Sequence, residues 1–168
     1  MLAIILIMTG VLFRFLPHAP NINPVAAIAL FGAAYLPNKK LALIVPLSVM
    51  IVSDLFLGLH DIVVFTWGSV VLISLIGISL KKSKKVTAVL AGSLLSSFVF
   101  FIVTNFGVWA SGWYARDLSG LSACFMAAIP FFRNFLAGTL VYSAALFGAY
   151  ELSARLVKNT KFAKALLS

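Results

Sequence analysis

Long apolar runs broken by very short polar turns leave this chain few ways to fold. The runs cover residues 1–16, 25–36, 41–57, 62–80, 86–110 and 119–153. Between them stand the turns Asn38-Lys39-Lys40, Leu59-His60-Asp61 and Lys81-Lys82-Ser83-Lys84-Lys85, and two longer polar stretches, 14–24 and 111–118. A membrane-crossing helix needs roughly 20 apolar residues, because it must satisfy its own backbone hydrogen bonds across the hydrocarbon. The runs fit that length better than any soluble pattern. Charge agrees: 10% of residues are charged and 62% are hydrophobic, where a soluble domain has about 25% charged residues. With a mean hydropathy of +1.12, the chain needs lipid as its solvent.

The expected architecture is an all-α integral membrane protein of one domain with six crossings. They are placed at about 1–16, 25–36, 41–57, 62–80, 86–110 and 130–153. The first run lacks a basic leading segment, and Arg14-Phe15-Leu16-Pro17 is no small-residue cleavage site, so it reads as a retained helix rather than a signal peptide. The run 25–36 is short and can span only with help from its flanking loop or a thin bilayer. The run 119–153 is too long for one crossing. Proline is at home in the first turn of a helix and disruptive inside one. Pro130 therefore predicts a short interfacial helix at about 120–129 and a last crossing from 130. One long kinked helix is the alternative.

Lysine and arginine positions set the expected orientation. With six crossings and both termini cytoplasmic, the inner segments carry Lys39, Lys40, Lys81, Lys82, Lys84, Lys85, Arg155, Lys158, Lys161 and Lys164. The outer loops carry Arg14 and Arg116, and Arg133 lies within the last crossing. This bias accounts for the net charge of +9 without nucleic acid: the lysine clusters lack the arginine and aromatic interleaving of a nucleic-acid surface. They suit anionic lipid heads instead.

That orientation gathers the polar residues toward the outer half. The stretch Arg14 to Pro24, RFLPHAPNINP, holds Arg14, His18, Asn21 and Asn23, and its three prolines forbid a continuous helix. It reads as a cap over an outward pocket. Asp54 lies near the outer end of the third run, His60 and Asp61 in the next turn, and Asn105 and Trp109 at the end of the fifth. Trp113, Tyr114, Arg116 and Asp117 follow, and Arg133 and Asn134 open the last crossing.

A carboxylate within a membrane helix costs about 2.5–3.5 kcal/mol on insertion scales, so Asp54 needs a partner. Arg133 is the first candidate and Arg14 the second. The pair is a structural lock between the third and sixth helices, a ligand contact, or part of a proton relay. Asn105 can bond a ligand or a neighbouring helix. Trp109, Trp113 and Tyr114 form an interfacial belt or a stacking wall for a ring-bearing solute. Asn21 and Asn23 are turn formers or ligand groups. The lone Cys124 offers no disulfide or metal cluster. No metal and no cofactor is expected.

Small residues at helix-packing spacing are Ala29 with Ala33, Ala88 with Gly92 and Ser96, Ala144 with Gly148, and Ala145 with Ala149. They serve packing within the bundle or a face for another membrane subunit. The chain has no G-x-S-x-G elbow, no H-E-x-x-H helix and no G-x-x-x-x-G-K-[ST] loop. It is not expected to be an enzyme, and if it drives any active transport, the energy would come from a partner or an ion gradient.

Several short motifs occur in order: Asn21-Ile22-Asn23-Pro24-Val25-Ala26-Ala27, Leu30-Phe31-Gly32, Ser53-Asp54-Leu55-Phe56-Leu57-Gly58, Thr104-Asn105-Phe106-Gly107-Val108-Trp109, Gly120-Leu121, Ile129-Pro130-Phe131-Phe132 and Leu146-Phe147-Gly148. With the six short helices they resemble the substrate-binding S components of energy-coupling factor (ECF) transporters. More specifically, they resemble a bacterial membrane protein family of unassigned function related to them. The resemblance implies an S-component-like bundle in the bacterial cytoplasmic membrane. It implies capture of a vitamin-like solute from outside, possible association with an ECF T subunit and ATPases, and a site built from outer loops. One departure concerns docking: where many S components carry A-x-x-x-A on the first helix, Ala3 is followed by Ile7. The expected solute-binding set is Arg14, His18, Asn21, Asn23, Asp54, Asn105, Trp109, Trp113, Tyr114, Arg133 and Asn134. The other expectation is an intramembrane assembly subunit without a small ligand.

Overall fold

The structure is a computed structural model that describes residues 1–17 and 20–167. Among these residues it holds seven helices: α1 (Leu2–Phe15), α2 (Val25–Tyr35), α3 (Lys39–Leu57), α4 (Val63–Ser79), α5 (Val86–Ala110), α6 (Leu118–Val157) and α7 (Ala163–Leu167). Local chemistry marks the boundaries. Asn38 caps α3 by accepting from the Leu41 N–H at 2.8 Å, and Asp117 caps α6 by accepting from the Gly120 N–H at 2.7 Å. Gly58 ends α3 at φ +104°, a conformation that suits glycine. α7 was not expected.

Helix α2 is the centre of the bundle. It is apolar on every side, and such a helix must be buried. Every residue from Val25 to Ala34 is buried, and α1, α3, α4, α5 and α6 all pack on it. Its 11 residues make a rod about 16 Å long. It is therefore a half-length core element, too short to cross a bilayer by itself. Small residues permit the close approaches. A β-carbon on Gly77 of α4 would sit 2.5 Å from the Leu30 carbonyl oxygen, and one on Gly10 of α1 would meet Ile28 at 2.9 Å. Ala29, Ala33, Gly92 and Ser96 are buried, whereas Ala144, Ala145 and Gly148 are exposed on α6.

Pro130 does not divide the last segment. α6 runs unbroken for 40 residues with Pro130 inside it, so the expected short helix at 120–129 and separate crossing from 130 are corrected to one helix. In lipid a break exposes several backbone groups with no water to satisfy them, while an internal proline removes one hydrogen bond. α3 carries Pro46 in the same way.

The surface is inverted relative to a soluble protein. Large apolar side chains stand exposed on every long helix except α2, among them Phe56, Val64, Val86, Leu94, Leu118 and Leu156. α3, α5 and α6 are long and apolar enough to cross a membrane; α1, α2 and α4 are shorter apolar helices. These features suggest a multi-pass membrane protein.

Neighbour contacts define two ends. Ile22 lies by Gly138, Phe31 by Phe147 and Tyr35 by Glu151, so α2 and α6 run the same way. Gly92 faces Leu80 and Gly107 faces Phe65, so α4 and α5 are antiparallel. One end therefore holds Arg14, residues 20–24, the α3–α4 turn and the α5–α6 loop. The other holds the lysine turns. There Lys81 donates to the Leu36 carbonyl at 2.6 Å, Tyr35 donates to Glu151 at 2.6 Å, and Lys84 lies over the Tyr35 ring.

Candidate functional site

The loop between α1 and α2 has its shape from its own residues. Pro17, Pro20 and Pro24 keep it out of helix. Asn21 takes φ +62°, which asparagine tolerates better than most residues. Asn23 accepts from the Val25 N–H at 3.2 Å and so starts α2. The loop is pinned to α6 at two points. Asn134 donates its amide to the Pro20 carbonyl at 3.1 Å, and Gly138 lets Ile22 pass where a β-carbon would lie 3.2 Å from its Cα.

Beneath the loop lies a buried polar network. Arg14 donates to Asp54 Oδ1 at 2.8 Å, to the Ser53 hydroxyl, and to the Met50 sulfur at 3.1 Å. Trp67 Nε1 donates to Asp54 Oδ2 at 2.9 Å. The Arg14 and Asp54 side chains are 11% and 4% exposed. Both carboxylate oxygens are engaged, as a charge at this depth requires. The network joins α1, α3 and α4. Arg133 takes no part in it: it is exposed on α6, so its expected pairing with Asp54 is corrected to Arg14. A guanidinium has five N–H donors, and the three bonds here leave Arg14 with donors for a further group.

Arg14 forms one wall of a recess of about 730 Å³. Asn21, Asn23, His60, Asp61, Thr66, Thr104 and Asn105 add polar groups. Phe100, Phe101, Phe131, Phe132 and Phe135 supply an aromatic wall from α5 and α6, with Trp113 at the rim. Phe100 and Phe135 stack with centroids 4.2 Å apart and planes 16° apart, and Phe101 leans on Phe132 at 4.8 Å. Several polar groups have spent their donors locally. The Thr104 hydroxyl and one N–H of the Asn105 amide donate to carbonyls one turn earlier, each at 2.7 Å, which leaves Asn105 its second N–H to donate and its oxygen to accept.

Of the expected site residues, Arg14, Asn21, Asn23, Asn105 and Trp113 line the recess together. His18 lies outside the described residues. Asp54 stands behind Arg14 and holds it. Trp109 donates to the Ala115 carbonyl at 2.9 Å and folds the α5–α6 loop. Trp109, Tyr114, Arg133 and Asn134 lie off the recess wall, and Asn134 is the loop tether. His60 and Asp61 were legible as an outer polar turn but not as site residues. The five phenylalanines carried a signal in their spacing, with 100, 101, 104, 105 and 108 on one face of α5 and 128, 131, 132 and 135 on one face of α6.

The recess falls within the size range of small-molecule sites and has their mixture of apolar walls and few convergent polar groups. It suits a solute with a flat or apolar body and an anionic or hydrogen-bonding end. Among the described residues no three His, Cys, Asp or Glu side chains gather as a metal site. No curated protein and no solved structure matches the chain significantly. A family model matches residues 1–162, and the chain accordingly belongs to the family of unknown function DUF6580.

Proposed function

We propose that this protein captures a small vitamin-like solute in the Arg14 recess on the outer face of a bacterial cytoplasmic membrane and serves its uptake. The observation that carries the reading is the recess itself, in which a held guanidinium and three asparagines share the lining with five phenylalanines. Sidedness supports it. The positive-inside rule assigns the lysine-bearing end to the cytoplasm, which leaves the recess toward the exterior and both termini inside; six passes then require α2 to pass together with its flanking loop. The resemblance to ECF S components supports the same direction of capture, with ATP hydrolysis left to partner subunits. Ile7 bears on that partnership. It is fully buried against Gly32 of α2, so position 7 of α1 serves the core rather than a docking face. Uptake without a standard ECF module is consistent with this.

The test is mass spectrometry of small molecules that copurify in mild detergent, with Asn105→Ala as comparison. A compound retained by the parent and lost from a folded Asn105→Ala supports the reading. Equal recovery from both, or recovery of lipid alone, overturns it. The second reading, an assembly subunit, is favoured by one observation: Ala144, Ala145 and Gly148 lie exposed on α6 at the spacing of close helix contacts.

A further inference from the structure

Five buried hydroxyls, Ser74, Ser93, Ser96, Thr139 and Ser143, meet no hydrogen-bond partner among the described residues. Each is at most 1% exposed. An unpaired polar group in an apolar interior is unfavourable, and a helical serine has a ready remedy in the carbonyl one turn earlier. Ser97, Thr66 and Thr104 all take it. Alanine at the four serines and valine at Thr139 would fill nearly the same space and leave nothing unpaired.

Their placement is not scattered. The Phe100–Phe135 stack sets the register of α5 against α6. One turn further toward the lysine end stand Ser96 and Thr139, and a turn beyond them Ser93 and Ser143. The α4–α5 contacts, Phe65 with Gly107 and Leu80 with Gly92, bring Ser74 to the level of Ser97. The hydroxyls thus form a seam directly under the stack. The stack forms the α5–α6 part of the recess floor, since among its α5 and α6 lining residues Phe100 and Phe135 lie farthest from the recess end. Phe100 sits ten residues inside the end of α5, about 15 Å down the helix and near the middle of a bilayer.

We propose that this seam continues the recess toward the lysine-bearing end as a second, water-accessible polar station, with the Phe100–Phe135 stack as the gate between them. When the rings part, the unpaired hydroxyls exchange their missing bonds for water or for the polar groups of the solute. The path then runs through this chain, between α5 and α6. The inference rests on the uptake reading of the recess, and its test separates the two.

The test places single cysteines at Ser96, Thr139 and Ser143 in a Cys124→Ala background, in liposomes, and follows labelling by a small charged, membrane-impermeant thiosulfonate from each side. The seam thiols should react from the lysine-bearing side about tenfold faster than Leu94→Cys on the exposed face of α5, since labelling requires water access to a thiolate. Adding Phe135→Ala should open them to reagent from the recess side. Seam thiols as inert as Leu94→Cys from both sides would show a dry contact and overturn the inference. Asn105→Cys reports on the recess separately: if it is inert from its own side, the uptake reading fails whatever the seam does.

Discussion

Arg14 and Asp54, 40 residues apart in sequence, are joined by a 2.8 Å ion pair that ties the end of α1 to the end of α3 beside the recess. The pair differs from a surface salt bridge in its burial and in its added partners, Ser53 and Trp67. Asp54 does not reach the recess; it holds the cation that does.

Removing one partner strands the other charge. Asp54→Ala should cost about 3–5 kcal/mol, and a matched apolar replacement of both residues should recover much of it. Arg14→Lys should also lose stability, because one ammonium cannot reproduce the fork to Asp54 and Ser53. Denaturant midpoints in detergent read all three. A loss from Asp54→Ala below about 1 kcal/mol would place the pair among exposed salt bridges.

Two helical glycines should respond in opposite directions. Gly77→Ala puts a β-carbon 2.5 Å from the Leu30 carbonyl oxygen and 2.7 Å from the Ala33 side chain. It should cost about 1–3 kcal/mol as overpacking. Gly148→Ala meets nothing within 4 Å and should gain about 0.5–1 kcal/mol from lower unfolded-chain entropy. The same midpoints measure both, and equal effects would show that α4 does not lean on α2 through Gly77.

The loop over the recess should loosen without loss of the bundle. Asn134→Ala removes the bond to Pro20 at about 1 kcal/mol, and Gly138→Leu pushes against Ile22 and Asn23. Proteolysis of residues 20–24 should accelerate in both variants while helical circular dichroism stays constant. Unchanged cleavage would mean that the loop holds without α6.

The start of α6 should depend on pH. The Gly120 N–H, and next the Ser119 hydroxyl, hold the Asp117 carboxyl below its ordinary range. A depressed carboxylate stabilises the folded cap at pH above its unfolded value, near 3.8, and loses that effect as pH falls through the lower folded value. Exchange of the Gly120 amide, corrected for intrinsic rate, should therefore rise on acidification in the parent and stay flat in Asp117→Asn. A flat profile in the parent would remove Asp117 as the cap.

Several elements were legible because single residues decide them locally. The prolines of 17–24 keep the loop out of helix, and the polar turns break the apolar runs, whereas Asn38 and Asp117 read only as turn and loop residues and show themselves as caps in the structure. Arg14, Asn21, Asn23, Asn105 and Trp113 were legible as neighbours at one end of the bundle because each stands at or beside a helix end on the same side of the alternating runs. Pro130 misled for a physical reason: a rule learned where water can satisfy a broken helix is weaker where lipid cannot. The backbone bonds of Asn134 and Trp109 were not legible, because an amide or indole in sequence looks the same whether it grips a solute or a backbone carbonyl.

By itself the sequence determined the solvent, the helical class and the separation of lysines from the other polar groups. These follow from run length and charge position, which are properties of the chain in order. Only the tertiary structure decided that α2 is the buried axis, that Arg14 rather than Arg133 meets Asp54, and that phenylalanines from α5 and α6 wall the recess. Helices that are apolar all round carry no stripe to show which face turns inward, so their rotation and neighbours are settled by side-chain fit alone.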